Sequence, residues 1–179
     1  MTRWLILLLA LLAALAIAIF IIGAMLPVNH VAIGSVVIHQ PPDAVWRVIN
    51  DYPDEPKWRK NVKAIQRLPD RNGHEVWEET DTHNNKLAFE TVESVAPKRL
   101  VRQIVADENA PFSGRWEIEL TPVAGGTNVQ ITERGEVRNA FFRFVSRFVM
   151  GHTATINEYL KNLAGAFGET TPIAMYLSG

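Results

Sequence analysis

The sequence contains no cysteine. Disulfide bonds, thiolate metal sites and a cysteine nucleophile are therefore excluded, and the redox compartment is left open. Charge of one sign is also missing: 18 Lys and Arg against 19 Asp and Glu give −1 at pH 7. That balance offers no reason to expect a nucleic-acid partner. Several chemical signatures are absent as well: there is no G-x-S-x-G, no phosphate-binding glycine loop and no dinucleotide fingerprint. His74-Glu75-Val76-Trp77-Glu78 begins like a zinc-binding H-E-x-x-H, but the second histidine is missing and the segment alternates as a strand. The metal motif needs two ligands on one helical face. His30, His39 and His83 show no ligand spacing either. No metal, no cofactor and no catalytic set is expected.

What is present is an uneven distribution of apolar residues. Trp4 to Leu26 is an unbroken run without charge or proline. As a helix it would be about 34 Å long at about 1.5 Å per residue, enough to cross a hydrocarbon core of about 30 Å. Pro27, which lacks an N–H, suits the exit of such a helix better than its interior. A cleaved signal peptide would have a shorter apolar core followed by a small-residue cut site. Ala16-Ile17-Ala18 lies inside the run, and Ile22-Gly23-Ala24 is a poor match. Length favours a retained anchor over residues 1–27. Arg3 precedes the run and no Lys or Arg follows until Arg47. The positive-inside rule then places the N-terminus in the cytoplasm and the following domain on the far, extracytoplasmic side.

Residues 28–169 read as one domain. Val31 to Ile38 is a β-branched strand, stopped by Pro41-Pro42. Asp43 to Ile49 carries Val45, Trp46 and Ile49 on one helical face, and Lys57 to Lys60 suggests a second short helix. From Val62 the period becomes extended. Strands are expected over Val62–Leu68, Glu75–Thr82, Leu87–Val95, Leu100–Ala106, Arg115–Thr121 and Asn128–Val137, the first two joined by an Asn72-Gly73 hairpin cue. Asn139 is a fitting N-cap for one long helix whose stripe is Val145, Val149, Ile156, Leu160, Leu163 and Phe167, stopped by Gly168. The expected class is α+β: a curved antiparallel sheet whose apolar face needs cover, gripping the long C-terminal helix. Such an arrangement tends to leave a cavity between sheet and helix. Thr170 to Gly179 is a tail whose Ile173, Met175, Tyr176 and Leu177 are apolar for a terminus; the pattern assigns it no role.

This order, with particular residues in it, resembles the START-like, helix-grip (SRPBCC) superfamily, and within it the polyketide cyclase/dehydrase and lipid-transport family. The resemblance covers about residues 31–167. It is carried by Pro42-Asp43-Ala44-Val45-Trp46, Trp58, Pro97 to Val101, Pro111-Phe112-Ser113-Gly114-Arg115-Trp116, Gly126-Thr127-Asn128-Val129 and Glu133 to Glu136. It implies a hydrophobic-ligand cavity between sheet and long helix. It supplies no universal catalytic set, because the fold hosts binders, transporters and enzymes.

The expected lining is Trp77, Phe89, Trp116, Ile118, Ile131, Phe148, Val149 and Ile156, with Glu133 and His152 as the polar candidates. Glu133 is in phase with Val129 and Ile131, and its alternative is a wet strand end. His152 lies on the apolar stripe of the helix, where a hydrogen-bonded core histidine is the commoner case. Arg102 shares a phase with Leu100 and Ile104, but Val101 and Val105 support the opposite phase, and an exposed arginine is expected. Lys57, Arg59, Lys60, Lys63 and Arg67 read as a solvated basic face. Phe141, Phe142, Phe144 and Phe148 cannot share one stripe; Phe148 is assigned inward, and Phe141 is left open between core and bilayer. Access to the cavity is expected through the Asp107–Gly114 loop. These readings lead to membrane-anchored binding of a hydrophobic small molecule or lipid. Two other classes remain: a cyclase or dehydratase using His152 and Glu133, and a protein-interaction module with a filled core and an exposed apolar patch.

Overall fold

The computed structural model describes residues 2–107, 110–151 and 153–178. Helix α1 (Thr2–Met25) takes up the apolar run and is exposed along nearly all of its length. Strand β1 (Asn29–Ile38) leads to α2 (Pro42–Asn50), a 3₁₀ turn (Tyr52–Asp54) and α3 (Glu55–Trp58). The strands β2 (Val62–Arg71), β3 (His74–Asp81), β4 (Lys86–Val95), β5 (Arg99–Ile104), β6 (Phe112–Val123) and β7 (Gly126–Val137) form a meander. The β2–β3 turn has Asn72 and Gly73 at φ 53° and 81°, the pair of positive angles a two-residue hairpin demands.

The class is α+β, with an eight-stranded antiparallel sheet of order β2-β3-β4-β5-β6-β7-β1-β8 packed on a C-terminal helix. The eighth strand, β8 (Ala174–Ser178), comes from the segment to which the sequence pattern assigned no role. It pairs with β1, Gly34 opposite Met175, and Ile173 and Met175 pack against the core while Tyr176 stays exposed.

The C-terminal helical region is interrupted rather than continuous. Helix α4 (Ala140–Val145) begins at Asn139, whose side-chain carbonyl accepts from the Phe141 and Phe142 amides. A π-helical turn follows (Ser146–Met150), and α5 (Ala154–Ala166) starts only after Gly151. Gly151 has φ 77°, a left-handed conformation that ends a helix and that glycine adopts without a side-chain penalty. The stripe read from Val145 to Phe167 is therefore divided between two elements.

Helix α5 lies on β1. Ile156, Leu160 and Leu163 are fully buried against Ile118, Ile131, Val129 and Val36. Gly34 makes the close approach possible: a side-chain carbon there would collide with Ile156, Leu160 and Met175.

Candidate functional site

Directly paired residues on neighbouring strands share a sheet face. Trp77 pairs with Phe89 and Phe89 with Ile104. Arg102 pairs with Trp116 and Trp116 with Glu133. Leu100, Ile118 and Ile131 form a parallel row on the same face. The concave side thus brings together Trp77, Phe89, Trp116, Ile118, Ile131 and Glu133. Ile118, Ile131 and Ile156 are fully buried in the packed core under α5. Trp77, Ile104, Trp116 and Glu133 are half-buried.

Two of the expected lining residues sit elsewhere. Phe148 and Val149 lie on the π-helical turn and are 59% and 72% exposed. The break before α5 removes them from the stripe that a continuous helix would have turned inward. His152 lies outside the described residues, and so do residues 108 and 109 of the expected access loop. That loop is also shorter than Asp107–Gly114, because β6 already begins at Phe112.

Glu133 faces the same side as Val129 and Ile131, where it is held by two donors. The Trp116 indole N–H donates to its Oε2 at 2.7 Å, and the His30 ring nitrogen lies 3.1 Å from its Oε1. These contacts fix the orientation of the Glu133 carboxylate.

The most polar part of the concavity was not foreseen. Arg102 is buried, not exposed: it ion-pairs with Glu55 at 2.9 Å and donates a second bond to the Ile49 carbonyl. Glu55, also fully buried, binds Arg59 at 2.6 Å, and Arg59 in turn grips Glu79 through two bonds of 2.6 and 3.0 Å. Arg59 therefore leaves the solvated basic face to which its neighbours belong. Burial acts against both guanidinium charges, but the carboxylates outweigh it, and the pKa values of Arg59 and Arg102 are raised. The alternation of two acids and two bases makes this buried cluster neutral overall, as burial of charge requires. The available signals were local: Glu55 and Arg59 are spaced i,i+4 on one helical turn, and Arg102 is in phase with Leu100 and Ile104.

Aromatic rings surround this cluster. The Arg102 guanidinium lies 4.4 Å from the Tyr52 ring centroid and 5.3 Å from that of Phe89. Tyr52 contacts Trp77 with ring centroids 4.7 Å apart, and its hydroxyl pairs with Thr91 at 2.9 Å. Tyr159 on α5 meets Trp116 and Trp58 edge-on, at 5.4 and 5.3 Å. Burial, ahead of every charge nearby, pushes the Tyr159 phenol up, so it remains a protonated donor. Its hydroxyl is buried without a hydrogen-bond partner among the described residues, as are the indole N–H groups of Trp58 and Trp77. The concave face can therefore offer fixed donors within an aromatic wall. Outside this interface, an open groove of about 850 Å³ runs between α2, α3 and α5, lined by Arg47, Asp51, Lys57, Trp58, Lys60 and Lys161 among others. Among the described residues, no cluster of His, Asp and Glu is arranged to hold a metal.

Comparison with known proteins adds the fold's relatives. Residues 31–167 match the family described as polyketide cyclase / dehydrase and lipid transport. Similar solved structures include a START superfamily protein from Mycobacterium smegmatis (12% identity, TM-score 0.58, covering 76% of this chain and 96% of that one). Another is the Zhui aromatase/cyclase from Streptomyces sp. R1128 (15%, TM-score 0.59, 79% and 99%). A third is truncated norcoclaurine synthase from Thalictrum flavum (11%, TM-score 0.62, 80% and 96%). At these identities the likeness concerns the fold. No curated protein matches the sequence. A match spanning β1 to the end of α5, on a helix-grip sheet, makes this chain a member of the polyketide cyclase/dehydrase and lipid-transport family.

Proposed function

We propose that this chain binds a hydrophobic small molecule or lipid between the concave sheet face and α5, beside a membrane in which α1 is anchored. The observation that carries the reading is the aromatic wall with donors left over: Trp77, Phe89, Trp116, Tyr52 and Tyr159, with the Tyr159 hydroxyl and the Trp77 N–H lacking a partner among the described residues. A buried donor without an acceptor costs about 1–3 kcal/mol, and a ligand oxygen placed among apolar rings would remove that cost. Ligand sites are commonly built this way, apolar with a few placed polar groups. The half-buried strip of Trp77, Ile104, Trp116 and Glu133 is the proposed way in, and Glu133 is its polar edge. The family to which the chain belongs, and the aromatase/cyclase among its fold relatives, support a ligand-binding use of this face. Helix α1 is one apolar segment of a length and composition that fit a single-pass anchor or a signal sequence. In the proposed arrangement it is an anchor, with Arg3 on the cytoplasmic side and the sheet domain outside.

Tryptophan emission of the full chain, titrated with fatty acids, phospholipids and isoprenoids, tests the site. Saturable change that is abolished in Trp77→Ala and retained in Trp4→Phe supports binding at the concave face. Absence of any saturable change across these classes, or a change unaffected by Trp77→Ala, contradicts it.

A further inference from the structure

The helix break that removes Phe148 and Val149 from the core places them in a new setting. Phe141, Phe142, Phe148 and Val149 are 50%, 47%, 59% and 72% exposed. All four lie on α4 and the π-helical turn, within nine consecutive residues. This apolar surface adjoins the exit of α1. Gly23 is the one buried position described in α1, and Ile19, one turn earlier, is partly covered. A side-chain carbon at Gly23 would strike the Ala140 carbonyl and crowd Phe144. Arg143 locks the contact, donating from Nε to the Gly23 carbonyl at 2.7 Å and from Nη1 to the Val137 and Arg138 carbonyls. Helix α4 is thus fixed against the last turn of the apolar segment, near the depth at which that segment would leave the hydrocarbon.

We infer that α4 and the π-helical turn form a second membrane contact, with Phe141, Phe142, Phe148 and Val149 seated at the headgroup–acyl boundary of the bilayer that α1 crosses. The inference rests on the reading of α1 as a spanning anchor. Lipid is the occupant because α4 is docked at Gly23 of a helix whose apolar surface itself requires lipid, with Ile22 and Met25, exposed, on either side of Gly23 in the chain. An interfacial helix pairs an apolar face with cationic residues that reach the headgroups, and the exposed Arg147 supplies such a cation between Phe144 and Phe148. With α1 alone the domain could swivel about its tether. With α4 seated, one end of the sheet is held at the membrane surface.

The absence of native cysteine permits single spin labels on the full chain. Labels at Phe142→Cys, Phe148→Cys, Ala13→Cys in α1 and Arg71→Cys in the β2–β3 hairpin would be placed in vesicles of phosphatidylcholine and phosphatidylglycerol. The expected result is that positions 13, 142 and 148 collide with oxygen in preference to a water-soluble nickel chelate, and position 71 the reverse. Nickel-accessible labels at 142 and 148, with position 13 in the bilayer, overturn the inference and leave the anchor intact. A nickel-accessible label at 13 overturns the anchor reading and this inference together. Labels at 142 and 148 shielded from both reagents, with spin–spin broadening, show a second copy of the chain on the patch and also overturn it.

Discussion

Arg102 is tied to four other groups at once: the Glu55 carboxylate, the Ile49 carbonyl and the rings of Tyr52 and Phe89. Removing one member of a buried ion pair strands the other, at a cost of about 3–5 kcal/mol. Arg102→Met is expected to destabilise the chain by about that much in urea unfolding, and adding Glu55→Gln should cost less than the sum of the two single changes. Additive losses would show that the two charges act independently. On the convex face, Glu117 accepts from Arg134, Arg115 and Arg99. Burial works to raise its pKa, but these donors outweigh burial and hold it below the ordinary 4.5. A depressed carboxyl stabilises the fold fully above its unfolded value and loses that contribution as pH falls through its folded value. Glu117→Gln should therefore flatten the loss of urea midpoint as pH falls from the ordinary value of 4.5 through the depressed folded value; an unchanged slope would contradict this. The buried charges were hard to read from sequence. Arg102 fitted two strand phases equally well, and its partner Glu55 lies 47 positions earlier in the chain, a separation that no local pattern reports. Glu133 shared the phase of Val129 and Ile131, with a wet strand end as the alternative, and the pairing places it on their face, half-buried.

At the scale of elements, strands and turns were legible wherever their cues were local. Alternation over Arg115–Thr121 and the Asn72-Gly73 turn marked β6 and the β2–β3 hairpin, although β6 proved longer at both ends. Asn139 was legible as a cap because a side-chain acceptor before an apolar run needs no tertiary information. Asn139→Ala should cost about 1 kcal/mol, measured by urea unfolding, with the Phe141 and Phe142 amides left without their acceptor. The break at Gly151 was not legible, since the apolar period continues across it from Val145 to Ile156 and periodicity cannot register an interruption. Strand β8 was also missed: a short apolar segment at a terminus becomes a strand only when an edge, here β1, is present to receive it. The contact between α5 and β1 depends on Gly34. Gly34→Val would force Ile156, Leu160 and Met175 aside, and overpacking of this kind costs about 1–3 kcal/mol. Thermal unfolding should show the loss, and wild-type stability in this variant would mean that α5 sits less tightly than described.

For the whole molecule, the α+β class and the helix-grip order followed from the succession of periods, because one apolar helix following a long antiparallel meander has only one face to cover. Hydrophobic composition also identified the N-terminal segment as a candidate span. The layout of the ligand site followed less directly. The core beneath α5 is packed with Ile118, Ile131, Ile156, Leu160 and Leu163, so the proposed site is confined to the aromatic region around Trp77, Phe89 and Trp116. Native mass spectrometry of the full chain, purified in detergent that is stripped in the gas phase, tests the proposed function most directly. A stoichiometric apolar molecule is expected to remain bound, to appear on organic extraction and to be lost in Trp77→Ala. Bare polypeptide alone, with no stabilisation by added lipids or isoprenoids, would contradict it.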